Sequence, residues 1–179
     1  SLGAECKKME LFSHFATKTK KIEIIDYLVE KGFSIDERDS YGMNITAEIL
    51  CNNDDNNFLD QYLAKYGTPN EKYNGRPCIF NEVEQYDDIY RANGHFAKRL
   101  KILFKHGADV NITDNENQTL MMRACLFAPN EDTIRFLLAY NPDLSAIDKE
   151  GKDVFDYLEK NEYLSDMKKE RIKLLLSKN

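Results

Sequence analysis

The 179-residue chain has no tryptophan, no closely spaced pair of cysteines and no excess of positive charge. No stretch approaches the roughly 18 consecutive apolar residues of a spanning helix, so no membrane span is expected. Lys plus Arg number 25 against 31 Asp plus Glu, a net charge of -6. Proteins that lie along phosphate backbones are usually basic, so nucleic acid is not an expected partner. Cys6, Cys51, Cys78 and Cys125 are separated by 45, 27 and 47 residues. Zinc sites need ligands in close pairs, so none is expected. The chain is long enough to bury a core without disulfide staples, and reduced, mostly buried thiols are expected. The histidines are His14, His95 and His106, and neither G-x-S-x-G nor H-E-x-x-H occurs. No catalytic residue, metal or cofactor is therefore expected. The chain starts at Ser1 rather than Met, which leaves a trimmed N-terminus and a removed signal peptide open. Nothing requires oxidation, so a cytoplasmic location is expected, with export or delivery into another cell left open.

What is present is a repeat. Apolar residues make up 42% and charged residues 31%, the composition of a folded chain. Four segments align, beginning at Tyr27, Tyr62, Ile102 and Phe136. In each, an apolar stretch runs into Gly or Asn, then a short polar stretch, then a second Gly or Asn. The first mark falls at Gly32, Gly67, Gly107 and Asn141, in steps of 35, 40 and 34. The second falls at Gly42, Gly75, Asn117 and Gly151, in steps of 33, 42 and 34. Two marks thus give one period near 34, with one enlarged unit. Gly and Asn are the residues that end helices and shape tight turns in the left-handed region, so positive φ is expected at all eight. Leu28, Leu63, Leu103 and Leu137 each precede the first mark by four residues. They read as the buried stripe of a helix that shares its core with stacked neighbours.

Gly107-Ala-Asp-Val-Asn-Ile-Thr-Asp-Asn-Glu-Asn117 with Gln118-Thr-Leu-Met-Met-Arg-Ala124 resembles the ankyrin repeat. That family has units of about 33 residues, a β-turn and two antiparallel helices with a T-P-L-H-x-A signature. Thr119, Met121 and Ala124 fit the signature; Leu120 and Met122 replace its Pro and His. Asn44–Ala47, Pro77–Phe80 and Asp153–Asp156 occupy the same place with little match. A tetratricopeptide array shares the period, but it lacks the polar turn with Asp seen at Asp39, Asp114 and Asp148, and it expects a Trp.

The resemblance implies an all-α fold: an ankyrin-repeat solenoid of stacked helix-turn-helix units joined by β-turn or hairpin loops. Five units are expected, at 3–38, 39–71, 72–113, 114–147 and 148–179, the last a charged C-terminal cap. Met9, Phe12, Phe15 and Ala16 belong to the first helix. The extra length of the third unit is placed in the acidic segment Asn81–His95, which carries Tyr86 and Tyr90. Insertions of this kind often map to a binding face. The Gly67-to-Gly75 interval is two residues shorter than the others, which predicts a blunted second turn tip.

The function implied by the resemblance is recognition of a partner protein, its identity unknown, without catalysis. Binding is expected on a concave surface of turn tips and first helices. Its candidate residues are Ser40, Tyr41, Met43, Tyr73, Asn74, Arg76, Glu84, Tyr86, Glu116, Gln118, Phe127, Lys149 and Lys152. Tyr41, Tyr73 and Arg76 stand out, because Tyr and Arg dominate interface hot spots. A monomer is expected. Three other readings are open: a thiol site built on Cys78 or Cys125 with a nearby His, a regulatory or substrate-docking segment of a larger enzyme or effector, and self-association through the terminal units.

Overall fold

The computed structural model describes residues 18–52, 54–84 and 95–178. The expected first helix around Met9, Phe12, Phe15 and Ala16 lies outside the described residues. So does most of the Asn81–His95 segment, including Tyr86 and Tyr90.

The chain is mostly helical. In order run α1 (Ile22–Glu30), α2 (Ile45–Asn52), α3 (Asn56–Tyr66), β1 (Lys72–Tyr73), β2 (Arg76–Pro77) and a 3-10 turn (Cys78–Phe80). They are followed by α4 (Asn81–Glu84), α5 (His95–Lys105), α6 (Leu120–Phe127), α7 (Asp132–Leu138), α8 (Val154–Glu159) and α9 (Asp166–Leu176). No helix among the described residues is long and apolar enough to cross a membrane.

All eight Gly and Asn marks have positive φ, from 31° at Gly67 to 89° at Gly32, with Asn141 at 53° and Asn117 at 59°. At the helix ends this conformation lets the chain fold back on its own carbonyls. Phe33 N–H donates to the Leu28 carbonyl (3.1 Å) and Gly32 N–H to the Val29 carbonyl (2.9 Å). The same pair recurs two units on, from Ala108 to Leu103 (3.0 Å) and Gly107 to Phe104 (3.1 Å). This crossed pattern satisfies carbonyls that a helix end otherwise leaves unpaired.

The turns after the helices repeat as closely. Asp39 accepts from the N–H of Tyr41 and Met43, Asp114 from Glu116 and Gln118, and Asp148 from Glu150 and Lys152, all at 2.8–2.9 Å. In the second interval Lys72 stands where those aspartates stand, and the turn type changes. Lys72 pairs with Pro77 and Tyr73 with Arg76 in an antiparallel hairpin. Its loop is Asn74-Gly75, with φ of 50° and 77°. A two-residue loop with both φ positive matches strand twist. The two residues missing from this interval lie before the turn: Gly67 to Lys72 is five residues, where Gly32 to Asp39, Gly107 to Asp114 and Asn141 to Asp148 are seven.

Two residues after each second mark comes the residue that starts the next helix. Asn44 accepts from Ala47 N–H (2.8 Å), Thr119 from Met122 N–H (3.2 Å) and Asp153 from Phe155 N–H (2.8 Å). Such oxygens satisfy the free amides of a first turn. Pro77 holds the fourth place and has no capping side chain. The chain there enters a 3-10 turn before the short α4.

The helices form two rows. α2, the 3-10 turn with α4, α6 and α8 follow one another in the first; α1, α3 and α5 pack in sequence in the second. Phe104 of α5 stacks on Tyr140 just beyond α7, ring centres 4.0 Å apart, and carries that row onward. Leu63, Leu103 and Leu137 are buried between the rows, while Leu28 is half-buried against the same core. Arg99 of α5 is also buried there, 2% exposed. Its Nε donates to Glu82 Oε1 of α4 (2.7 Å) and its Nη2 to the Leu50 carbonyl at the end of α2 (3.0 Å). Buried charges persist where they are paired and hydrogen-bonded. One arginine thus ties α2, α4 and α5 together.

Candidate protein-binding surface

The turn tips stand beside one another. Lys149 N–H of the last tip donates to the Glu116 carbonyl of the tip before it (3.0 Å). A Cβ built on Gly75 would fall 2.0–2.5 Å from the Asn115 side chain. The second and third tips are therefore in contact through a glycine that has no room for a side chain.

Below the tips lies a charged network that crosses between units. Glu84 at the end of α4 accepts from Arg76 Nη2 and from Arg123 Nε of α6, the latter at 2.6 Å. Arg76 also donates to Asn81 Oδ1 (2.7 Å), and Arg123 to Gln118 Oε1 (2.8 Å). Each guanidinium covers an aromatic ring: Arg76 lies over Phe80 and Arg123 over Phe127, 5.7 and 4.9 Å from the ring centres. Such stacking and forked donation are what arginine's planar head allows and lysine's does not.

Arg76, Glu84, Gln118 and Phe127 are thereby brought together by a residue that the sequence reading missed, Arg123. Its signal was available. It is the sole charged residue of the apolar helix Leu-Met-Met-Arg-Ala-Cys-Leu-Phe, and it precedes Phe127 by one helical turn.

The other candidates sit as follows. Ser40 is exposed, and Tyr41 is 72% exposed at the first tip. Met43 and Tyr73 are half-buried and lean on the core, so they are only partly available at the surface. Asn74 is exposed in the hairpin loop. Glu116 and Lys149 are exposed tip residues with their charges 3.8 Å apart. Lys152 is half-buried and pairs with Glu150. Tyr86 lies outside the described residues. A cleft of about 230 Å³ opens between the last two tips, lined by Gln118, Arg123, Leu126, Lys149, Lys152 and Lys160 among others. Lys160 lies over the Tyr157 ring, 5.5 Å from its centre.

The thiols named for a catalytic alternative are buried. Cys125 is inaccessible, and burial pushes its thiol up to about 12. Cys78 is 1% exposed and its thiol is also pushed up, chiefly by a hydrogen bond to Cys51. A nucleophilic thiol needs the opposite shift and access.

Comparison with known proteins bears on the repeats themselves. Residues 89–138 match the family model described as ankyrin repeats (many copies). That span is similar to ankyrin repeats. The matched span contains α5, α6 and α7, where the turn and the first-helix signature are best preserved. Met122 occupies the histidine position of the signature in this unit, and its Sδ accepts from Thr119 N–H (3.4 Å) while Thr119 caps the helix. A fowlpox virus (strain NVSL) protein, named as an ankyrin repeat protein, is 27% identical over 141 residues, covering 77% of this chain. The chain spans 39% of that relative's length. Ankyrin repeats generally mediate protein–protein interaction.

Proposed function

We propose that the chain is a protein-recognition module that binds a partner protein through the concave face of an ankyrin solenoid, without catalysis of its own. The observation that carries this reading is the Arg76–Glu84–Arg123 network. It holds the first helices of neighbouring repeats in fixed register beneath tips that touch one another. A surface ordered before binding loses little conformational freedom on binding. The same face presents Tyr41, Arg76 and Arg123, residue types that concentrate binding energy. Ser40, Met43, Tyr73, Asn74, Glu116, Gln118, Phe127, Lys149 and Lys152 complete the proposed surface at its rim and floor. The protein acts as a monomer in this reading, in the cytoplasm.

Because the chain spans well under half of its viral relative, a second reading has it as the docking segment of a longer effector or enzyme. The two readings share the surface and differ in what the rest of the polypeptide does.

The test is affinity capture followed by crosslinking mass spectrometry, from cells that express the protein. The native chain is compared with Tyr41→Ala/Lys149→Ala and with a control, Leu174→Ala, on exposed α9. A partner retained by the native chain and the control, lost by the tip variant and crosslinked to the tips, supports the reading. A partner lost only from the α9 control moves the site to the terminal helix and overturns it.

A further inference from the structure

The cleft of about 230 Å³ between the last two tips is smaller than the roughly 300 Å³ at which small-molecule pockets begin. It has room for one side chain rather than for a cofactor. Four cations and three carboxylates line it, a surplus of one positive charge on a chain whose net charge is -6. All three carboxylates are engaged. Asp148 accepts from the N–H groups of Glu150 and Lys152 and from the Tyr157 hydroxyl. Glu150 pairs with Lys152, and Glu116 stands 3.8 Å from Lys149.

Two cations are left over. Arg123 shares the carboxylate of Glu84 with Arg76. Its Nε and Nη1 donate to Glu84 and Gln118, and its Nη2 has no partner among the described residues. Lys160 follows α8 directly and has no carboxylate at ion-pair distance among the described residues. Each of the two rests on an aromatic ring, Arg123 on Phe127 and Lys160 on Tyr157. A ring face attracts the charge but leaves N–H donors to be met by another acceptor.

We propose that this cleft receives the carboxylate of an aspartate or glutamate carried by the partner protein, held between Arg123 on α6 and Lys160 at the end of α8. This rests on the reading of the tips and first helices as the binding face, and it adds the partner's chemistry, an acidic segment. One carboxylate cancels the surplus of one charge. A phosphate group carries about 1.5 to 2 negative charges and would overshoot, facing Glu116 and Glu150. Leu126, half-buried on the same lining, offers an apolar wall to the methylene groups of such a side chain. The negative charge of the whole chain disfavours an acidic segment elsewhere, so the cleft also directs where that segment lands.

The experiment titrates the isotope-labelled native chain with capped hexaglutamate and, separately, with capped hexalysine at matched ionic strength, and follows the backbone amides by NMR. Saturable shifts are expected at Gln118, Lys149, Glu150 and Lys160 with hexaglutamate, and none with hexalysine. Lys160→Glu should raise the Kd for hexaglutamate at least about tenfold, because a like charge then faces the carboxylate. Lys160→Arg should retain binding. Lys168→Glu makes the same change of net charge on exposed α9 and should leave the Kd within about twofold, since salt screens distant charges. Hexaglutamate that gives no saturable shift in the native chain, or saturates amides away from the cleft, overturns the proposal. So does an equal loss of binding in Lys160→Glu and Lys168→Glu, or inorganic phosphate that moves the cleft amides at lower concentration than hexaglutamate. None of these readouts needs the natural partner. A partner captured and crosslinked to the tips, with hexaglutamate leaving the cleft unmoved, removes this assignment and leaves the protein-recognition reading standing.

Discussion

Arg123 Nε donates to Glu84 Oε1 at 2.6 Å, and this bond joins the first helices of two successive repeats. Glu84 also holds Arg76, so one carboxylate faces two guanidiniums. Removing the carboxylate leaves two half-buried cations facing each other. Glu84→Gln should lower the urea-unfolding free energy by about 1–2 kcal/mol, since hydrogen bonds to charged groups sit at the stronger end. Arg123→Lys should fall nearly as far as Arg123→Ala, because lysine loses both the fork to Gln118 and the ring contact with Phe127. A lysine that restored full stability would show that charge alone matters here.

The buried pair Arg99–Glu82 makes a sharper prediction. Both side chains are almost inaccessible, at 2% and 3% exposure. Arg99→Met strands the Glu82 carboxylate in the core and should cost about 3–5 kcal/mol. Adding Glu82→Leu to that variant should recover most of the loss, because an apolar pair of similar volume needs no desolvation of charge. Thermal or urea unfolding of the single and double variants checks it. A double variant no better than the single would mean that the pair positions the backbone at Leu50 rather than merely neutralising charge.

Gly75 is predicted to be the least replaceable of the turn glycines. A Cβ there meets Asn115 at 2.0–2.5 Å on a backbone with φ of 77°, whereas at Gly32 a Cβ meets nothing within 4 Å. Gly32→Ala should cost about 1–2 kcal/mol, the strain of the left-handed region alone. Gly75→Ala should cost more, and Asn115→Gly should return only the excess. Equal destabilisation at the two sites, read from urea midpoints, would remove the contact between the tips from the account.

Asp148 supplies a pH prediction. Burial disfavours its charge, yet the N–H groups of Lys152 and Glu150 and the Tyr157 hydroxyl, donating at 2.7–2.9 Å, hold it below the usual carboxylate value. A depressed acid stabilises the fold in its ionised form. The contribution is full above the unfolded value of about 3.9 and is lost as pH falls through the folded value. Asp148→Asn should therefore be less stable than the native chain at pH 7, by about 1–3 kcal/mol for a charge-assisted network. The gap should close as the pH is taken below about 3.9. A gap that is constant with pH would assign the effect to shape rather than to charge.

The repeat punctuation was open to reading in the chain because it rests on local chemistry. Gly32, Gly67, Gly107 and Asn141 each end a helix where only a residue tolerant of positive φ is inexpensive. Asp39, Asp114 and Asp148 each bond amides two and four residues on, without help from the rest of the molecule. The shortened second interval was visible in the spacing, while the changed turn that follows it, with Lys72 in place of aspartate, needed the other three turns for comparison. Among the candidate binding residues, side-chain direction escaped the reading. Met43 and Tyr73 sit at tip positions, but both turn toward the core. Residue type and spacing do not tell which way a turn side chain points when both directions satisfy the backbone.

What the amino-acid order determined alone is therefore the period, the helix ends and the turns, since each arises from contacts within about five residues. Tertiary structure alone decided the rest. Arg99 and Glu82, and Arg123 and Glu84, are partners 17 and 39 residues apart. No local pattern marks such pairs, because stacking of whole repeats brings them together. Burial between the helix rows then disfavours the charge of Glu82, a property that the free side chain does not have.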